Sequence, residues 1–162
     1  MSRLLLTAAA LALAVAPAGG RDDKDAAYVK IVHADTGKVL AVEDDSTEAG
    51  AATVLAKDDG SQGQQWKLEK DGNYLKIVNR KSGKVLDVFE ASQDEGTKII
   101  IWDEKPEDND NQRWAWDGSG KDRRLKSKHS TLVLDVDGTR VVQKKADDKA
   151  KGQLWRVEEV KK

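Results

Sequence analysis

Near the middle of the sequence, four side chains are of types that could hold a polar ligand. Asp87 precedes Trp102 by fifteen residues, Asn111 follows it by nine, and Gln112 comes next. A carboxylate accepts hydrogen bonds from neighbouring hydroxyls, and its charge strengthens them. An amide both donates and accepts, so it discriminates hydroxyl geometry. An indole face packs against C–H bonds, a contact worth roughly 0.5–1.5 kcal/mol beyond the area it buries. The last amide, Gln112, is suited to orient Asp87 rather than to touch ligand. This is chemistry of binding, with no bond made or broken.

These residues stand out because the chain is built of copies. One copy reads YVKIVHADTGKVLAV from Tyr28, and a second reads YLKIVNRKSGKVLDV from Tyr74. A weaker third, RLKSKHSTLVLDV from Arg124, reads as about two residues shorter in its turn. Each continues with a glycine and a β-rich run: GAATVLA from Gly50, GTKIIIW from Gly96 and GTRVVQK from Gly138. Each ends on glutamine, any residue, tryptophan, at Gln64–Trp66, Gln112–Trp114 and Gln153–Trp155. Repetition at such a period marks a repeat architecture.

The copies serve as internal controls. What the fold needs recurs in all three, whereas a site need occur only once. The motif tryptophans recur and are therefore expected in the core. Trp102 does not recur: six residues from each run's glycine stand Ala56, Trp102 and Lys144. A position that accepts lysine faces solvent, so Trp102 is expected to be exposed, and an exposed aromatic beside an acid and an amide marks a ligand face. Asp87 has counterparts Ala41 and Asp135, and Asn111 has Gly63 and Gly152. Only the second copy holds the acid, the ring and the amide together.

The elements that carry these residues read as strands. Val39–Val42, Val85–Val88 and Val133–Val136 are short and β-branched, with glycines between them. Leu68, Trp116 and Val157 follow the motif tryptophans by two positions, on the same strand face. No helical periodicity is found beyond the N-terminus. About four strands per copy, related by pseudo-threefold symmetry, close a barrel that no single copy completes.

At this point the sequence resembles the ricin-B-type lectins, a β-trefoil family with one Gln-x-Trp in each repeat. The resemblance spans about residues 28 to 160. It implies an all-β trefoil, binding of carbohydrate of the galactose type or another glycan, and no enzymatic activity. It also implies the roles of Asp87, Trp102, Asn111 and Gln112, whose spacing fits the family's sugar sites. Two departures stand out. Ile100 occupies a place where a polar contact is common in the family. The family's disulfides are absent, with Val85 and Glu104 at the corresponding positions. The alternative expectation is a trefoil with degenerate sugar sites that binds protein, for instance a protease inhibitor.

The remaining features bound the function. Twenty-eight Lys and Arg against 29 Asp and Glu leave no basic excess for nucleic acid. Without cysteine there is no thiol nucleophile or thiolate metal site. No pair among the many carboxylates is marked as catalytic, and no phosphate loop or nucleophile elbow is present. His33 and His129 read as equivalent strand ends opposite Asn79, in turns rather than as ligands. Asp108-Asn109-Asp110-Asn111 resembles the start of a calcium loop but lacks its glycine and distal glutamate. No cofactor is expected. Residues 1–18, with Arg3 before an apolar run, read as a signal peptide that directs the chain to the periplasm or outside the cell. Residues 19–27 read as a lead-in, and 28–72, 73–120 and 121–162 as the three repeats. No membrane association is expected once the leader is removed.

Overall fold

A computed structural model describes residues 27–161. The expected signal peptide and all of the lead-in except Ala27 lie outside the described residues. Twelve strands follow in order, four to a copy. The first copy gives β1 (Val29–His33), β2 (Val39–Val42), β3 (Thr53–Ala56) and β4 (Trp66–Asp71). The second gives β5 (Tyr74–Asn79), β6 (Val85–Val88), β7 (Ile99–Trp102) and β8 (Trp114–Asp117). The third gives β9 (Arg124–Ser127), β10 (Val133–Asp137), β11 (Arg140–Lys144) and β12 (Trp155–Glu159). Among the described residues the only helical pieces are three-residue 3-10 turns, and no helix is long and apolar enough to cross a membrane.

Pairing produces a barrel and a cap. The outer strands of each copy form a ring, with β1 on β4, β4 on β5, β5 on β8, β8 on β9 and β12 on β1. A bridge between Arg123 and Trp155 closes it. Closure removes the open edges that a flat sheet would leave. The inner strands form three hairpins, β2–β3, β6–β7 and β10–β11. These are tied into a triangle by Val54–Arg140, Ala52–Ile100 and Lys98–Val142. The fold is a β-trefoil.

The core follows from strand alternation. Trp66, Trp114 and Trp155 are fully buried, with Ile31, Ile77 and Leu125 at equivalent barrel positions. Each indole N–H donates to a backbone carbonyl, of Leu40, Leu86 and Leu134 respectively, at 3.0, 3.1 and 3.2 Å. A buried polar atom without such a partner would be costly. Leu68, Trp116 and Val157 pack partly buried against this cluster.

The third copy departs from its expected alignment. His33, Asn79 and Ser127 are the true counterparts: each donates its backbone N–H across a six-residue turn, to Lys38, Lys84 and Leu132. That turn is full length, and His129 lies two residues beyond the strand end. Thr131 replaces the turn glycine, at φ 63° against 70° and 69° for Gly37 and Gly83. The missing glycine is why the turn reads as shortened. The shortening lies instead in the β10–β11 hairpin, which turns directly from Asp137 to Arg140.

Candidate carbohydrate-binding site

The β6–β7 hairpin carries the site. Its register pairs Val85 with Trp102 and Asp87 with Ile100, so the acid and Ile100 face each other across the ladder. The same register pairs Val39 with Ala56 and Val133 with Lys144, which makes these the counterparts of Trp102. Trp102 is 42% exposed, the one large exposed hydrophobic among the described residues. Its indole lies near Gly50 of the first copy, where a methyl group would sit 3.4 Å from Cζ3.

Asp87 is buried at 3% exposure and held from both sides. Asn111 Nδ2 donates to Oδ1 at 2.9 Å, and Gln112 Nε2 donates to Oδ2 at 2.8 Å. Gln112 also binds the incoming loop, donating to the Asp103 carbonyl and accepting from the Lys105 N–H. Gln64 and Gln153 hold the equivalent loops in the same way. The motif glutamine is therefore part of the fold, and it orients the acid wherever an acid is present. Burial pushes the Asp87 carboxyl up to about 6, against the opposing pull of the Gln112 bond, the Lys105 charge and the Asn111 bond.

Asn111 is more occupied than the sequence suggests. Its second N–H donates to the Val88 carbonyl at 3.0 Å, and its Oδ1 accepts from Lys105 Nζ at 2.5 Å. Both donors are used within the protein, so Asn111 works chiefly to hold Asp87. Lys105 belongs to no repeat motif in the sequence. Its backbone N–H meets the motif glutamine, as those of Asp59 and Asp147 do in the other copies. Those aspartates cap the following turn, whereas Lys105 reaches into the site. Loops of unequal length conceal this correspondence in the sequence.

The result is a hollow of about 350 Å³ lined by Asp87, Phe89, Ile100, Trp102, Lys105 and Asn111, with Glu90 and Ala91 at the rim. All four sequence-selected residues converge here, although Gln112 stands behind Asp87 and does not line the cavity. The calcium-like run is otherwise engaged: Asn109 donates to the Lys105 carbonyl, Asp110 pairs with Lys128, and Asn111 holds Asp87. His129 Nε2 meets the Ala91 carbonyl at 2.7 Å, and His33 Nδ1 meets Thr36.

In the other copies the place of the Asn111 side chain is filled differently. At Gly152 an added methyl would come within 2.5 Å of Asp135 Oδ1. Without an asparagine there, Asp135 turns back to accept from the Val136 N–H at 2.6 Å. In the first copy Asp45 occupies the equivalent space and accepts from the Gly63 N–H at 3.0 Å.

Comparison with known proteins gives the family of the fold. Residues 16–102 match the model of the ricin-type beta-trefoil lectin domain-like family, and residues 73–162 that of the ricin-type beta-trefoil lectin domain. No curated protein gives a significant match. Among solved structures, the designed threefold-symmetric protein ThreeFoil is 35% identical, with a TM-score of 0.74 over 80% of this chain and 96% of its own. The exo-β-1,3-galactanase 1,3Gal43A of Clostridium thermocellum is 34% identical, with a TM-score of 0.76 over 84% of this chain and 31% of that one. A lectin of Polyporus squamosus, solved with the glycan Neu5Acα2-6Galβ1-4GlcNAc, is 21% identical with a TM-score of 0.71, over 82% of this chain and 48% of that one. The chain thus spans about a third of the galactanase and half of the fungal lectin. Two family matches that together run from residue 16 to the last residue place the chain in the ricin-type β-trefoil lectin domain family, a family of carbohydrate-binding modules.

Proposed function

We propose that the chain binds a glycan through one site, in its second repeat, without covalent chemistry. One observation carries the reading: an exposed indole stands beside a buried, doubly oriented carboxylate, in the one repeat that has both. A sugar presents a C–H face to Trp102 and a hydroxyl edge to Asp87, while Lys105 donates to a neighbouring oxygen. The galactanase and fungal lectin both act on or bind galactose-containing glycans by their printed descriptions, which supports a galactose-type ligand. A single site of this kind gives a Kd near ~1 mM, about −4 kcal/mol, and stronger attachment then requires a clustered surface. Export through the leader at 1–18 belongs to the same proposal and rests on that segment's sequence alone.

A glycan array followed by calorimetry tests the reading. Trp102→Ala and Asp87→Ala are each expected to abolish measurable binding and to leave the β-sheet circular dichroism intact. Variants that bind like the parent would move the site elsewhere. A parent that binds no glycan would favour the alternative, a trefoil whose loops bind protein.

A further inference from the structure

Phe89 is the chain's single phenylalanine and belongs to no motif of the repeats. Its counterpart in the first copy is Glu43, and the third copy's short hairpin has no equivalent turn. The ring lines the same hollow as Trp102. Lys98 Nζ covers the Phe89 ring at 4.2 Å from its centroid, a cation–π contact that holds the ring from one face. The turn beneath it is fixed as well. Glu90 and Ala91 adopt left-handed φ of 53° and 49°, and His129 of the third copy grips the Ala91 carbonyl.

Trp102 and Phe89 stand at opposite ends of the hairpin. Trp102 pairs with Val85, and Phe89 follows Val88 at the far end. Four residue steps separate positions 85 and 89, about 14 Å of backbone at ~3.4 Å per step. One pyranose ring does not span that length. The floor between them is Asp87 beside Ile100, two residues from Val85 at one end and two from Phe89 at the other.

We infer that Phe89 forms a second apolar subsite, so that the hollow takes a disaccharide: one ring on Trp102 and Asp87, the adjoining ring with its C–H face on Phe89. This rests on the sugar-binding reading of the hollow. It adds that the unit recognised is two rings long, and that Phe89 sets the preference for the second. Each aromatic face contributes its own contact, so the second ring raises affinity by roughly three- to tenfold.

The test compares galactose with lactose and β-1,3-galactobiose, and xylose with xylobiose, on the full chain by calorimetry. The parent is expected to bind the disaccharide of its preferred pair roughly three- to tenfold more tightly than the monosaccharide. Phe89→Ala erases that gain and leaves monosaccharide affinity unchanged. Phe89→Leu keeps the bulk but loses the flat face, and it also loses most of the gain, which separates stacking from simple loss of packing. A parent that binds both members of each pair equally overturns the inference, as does Phe89→Ala weakening both by one factor. Trp102→Ala removes binding of both members; if it does not, the sugar-binding reading fails first. A parent blind to all five sugars overturns both.

Discussion

At the scale of single residues the site turns on the ionisation of Asp87. Two amides donate to its oxygens, Asn111 to one and Gln112 to the other, and a protonated carboxyl can accept well at only one of them because the other carries the proton. Burial nevertheless raises its pKa to about 6, because the charge is removed from water. Two consequences follow with definite sign. In the ligand-free protein the raised pKa means the folded state holds a proton more tightly than the unfolded chain, so this group's contribution to stability falls as pH rises from about 4 to about 6. Sugar hydroxyls donate to the ionised form, so affinity is full above about pH 6 and falls about tenfold per pH unit below it. Titrations between about pH 4.5 and 7.5 check this, and a flat profile would show that Asp87 does not bear on the ligand. The acid, ring and amide were legible in the sequence because each had two counterparts to differ from. Lys105 was not, since it sits in a loop whose length differs among the copies.

At the scale of elements the site is shared between repeats. The β6–β7 hairpin supplies the side chains, but neighbouring copies hold their frame. Gly50 of the first copy donates to the Ile101 carbonyl at 2.8 Å and lies against the Trp102 ring; its φ of 90° together with that contact favours glycine. His129 of the third copy braces the rim at Ala91, and Lys81 of the second grips the Asp45 carbonyl in the same manner. The same brace therefore serves two turns, of which one borders the hollow. His129→Leu is expected to cost about 1 kcal/mol of stability, the worth of one hydrogen bond, and to weaken sugar binding severalfold. His129→Gln can still donate to the carbonyl and is expected to restore both. Lys81→Met, at the equivalent place in the first turn, lowers the melting temperature without changing sugar affinity. Equal sugar affinity in His129→Leu and the parent would mean that the rim does not shape the site. None of these cross-repeat contacts is written in local sequence; they arise from the way the three hairpins meet over the barrel.

At the scale of the whole molecule the threefold plan sets what can vary. Three buried tryptophans, each with a carbonyl partner and a loop-holding glutamine, were legible as a fold because the same spacing had to occur three times. The third copy reads two residues out of register because Thr131 takes a glycine's left-handed place and so removes the usual turn signal. Once the barrel is closed by repetition, each hairpin is free to diverge, and among the described residues only the second sets an exposed indole beside a buried acid. That asymmetry is the central claim, and the indole N–H signals of the five tryptophans test it most directly in a titration with the best-binding disaccharide, followed by two-dimensional NMR. The signal of Trp102 is expected to shift progressively to saturation, while those of Trp66, Trp114 and Trp155 stay in place behind their carbonyl bonds. Saturation with Trp102 unmoved, or with shifts centred on the first or third repeat, would contradict it.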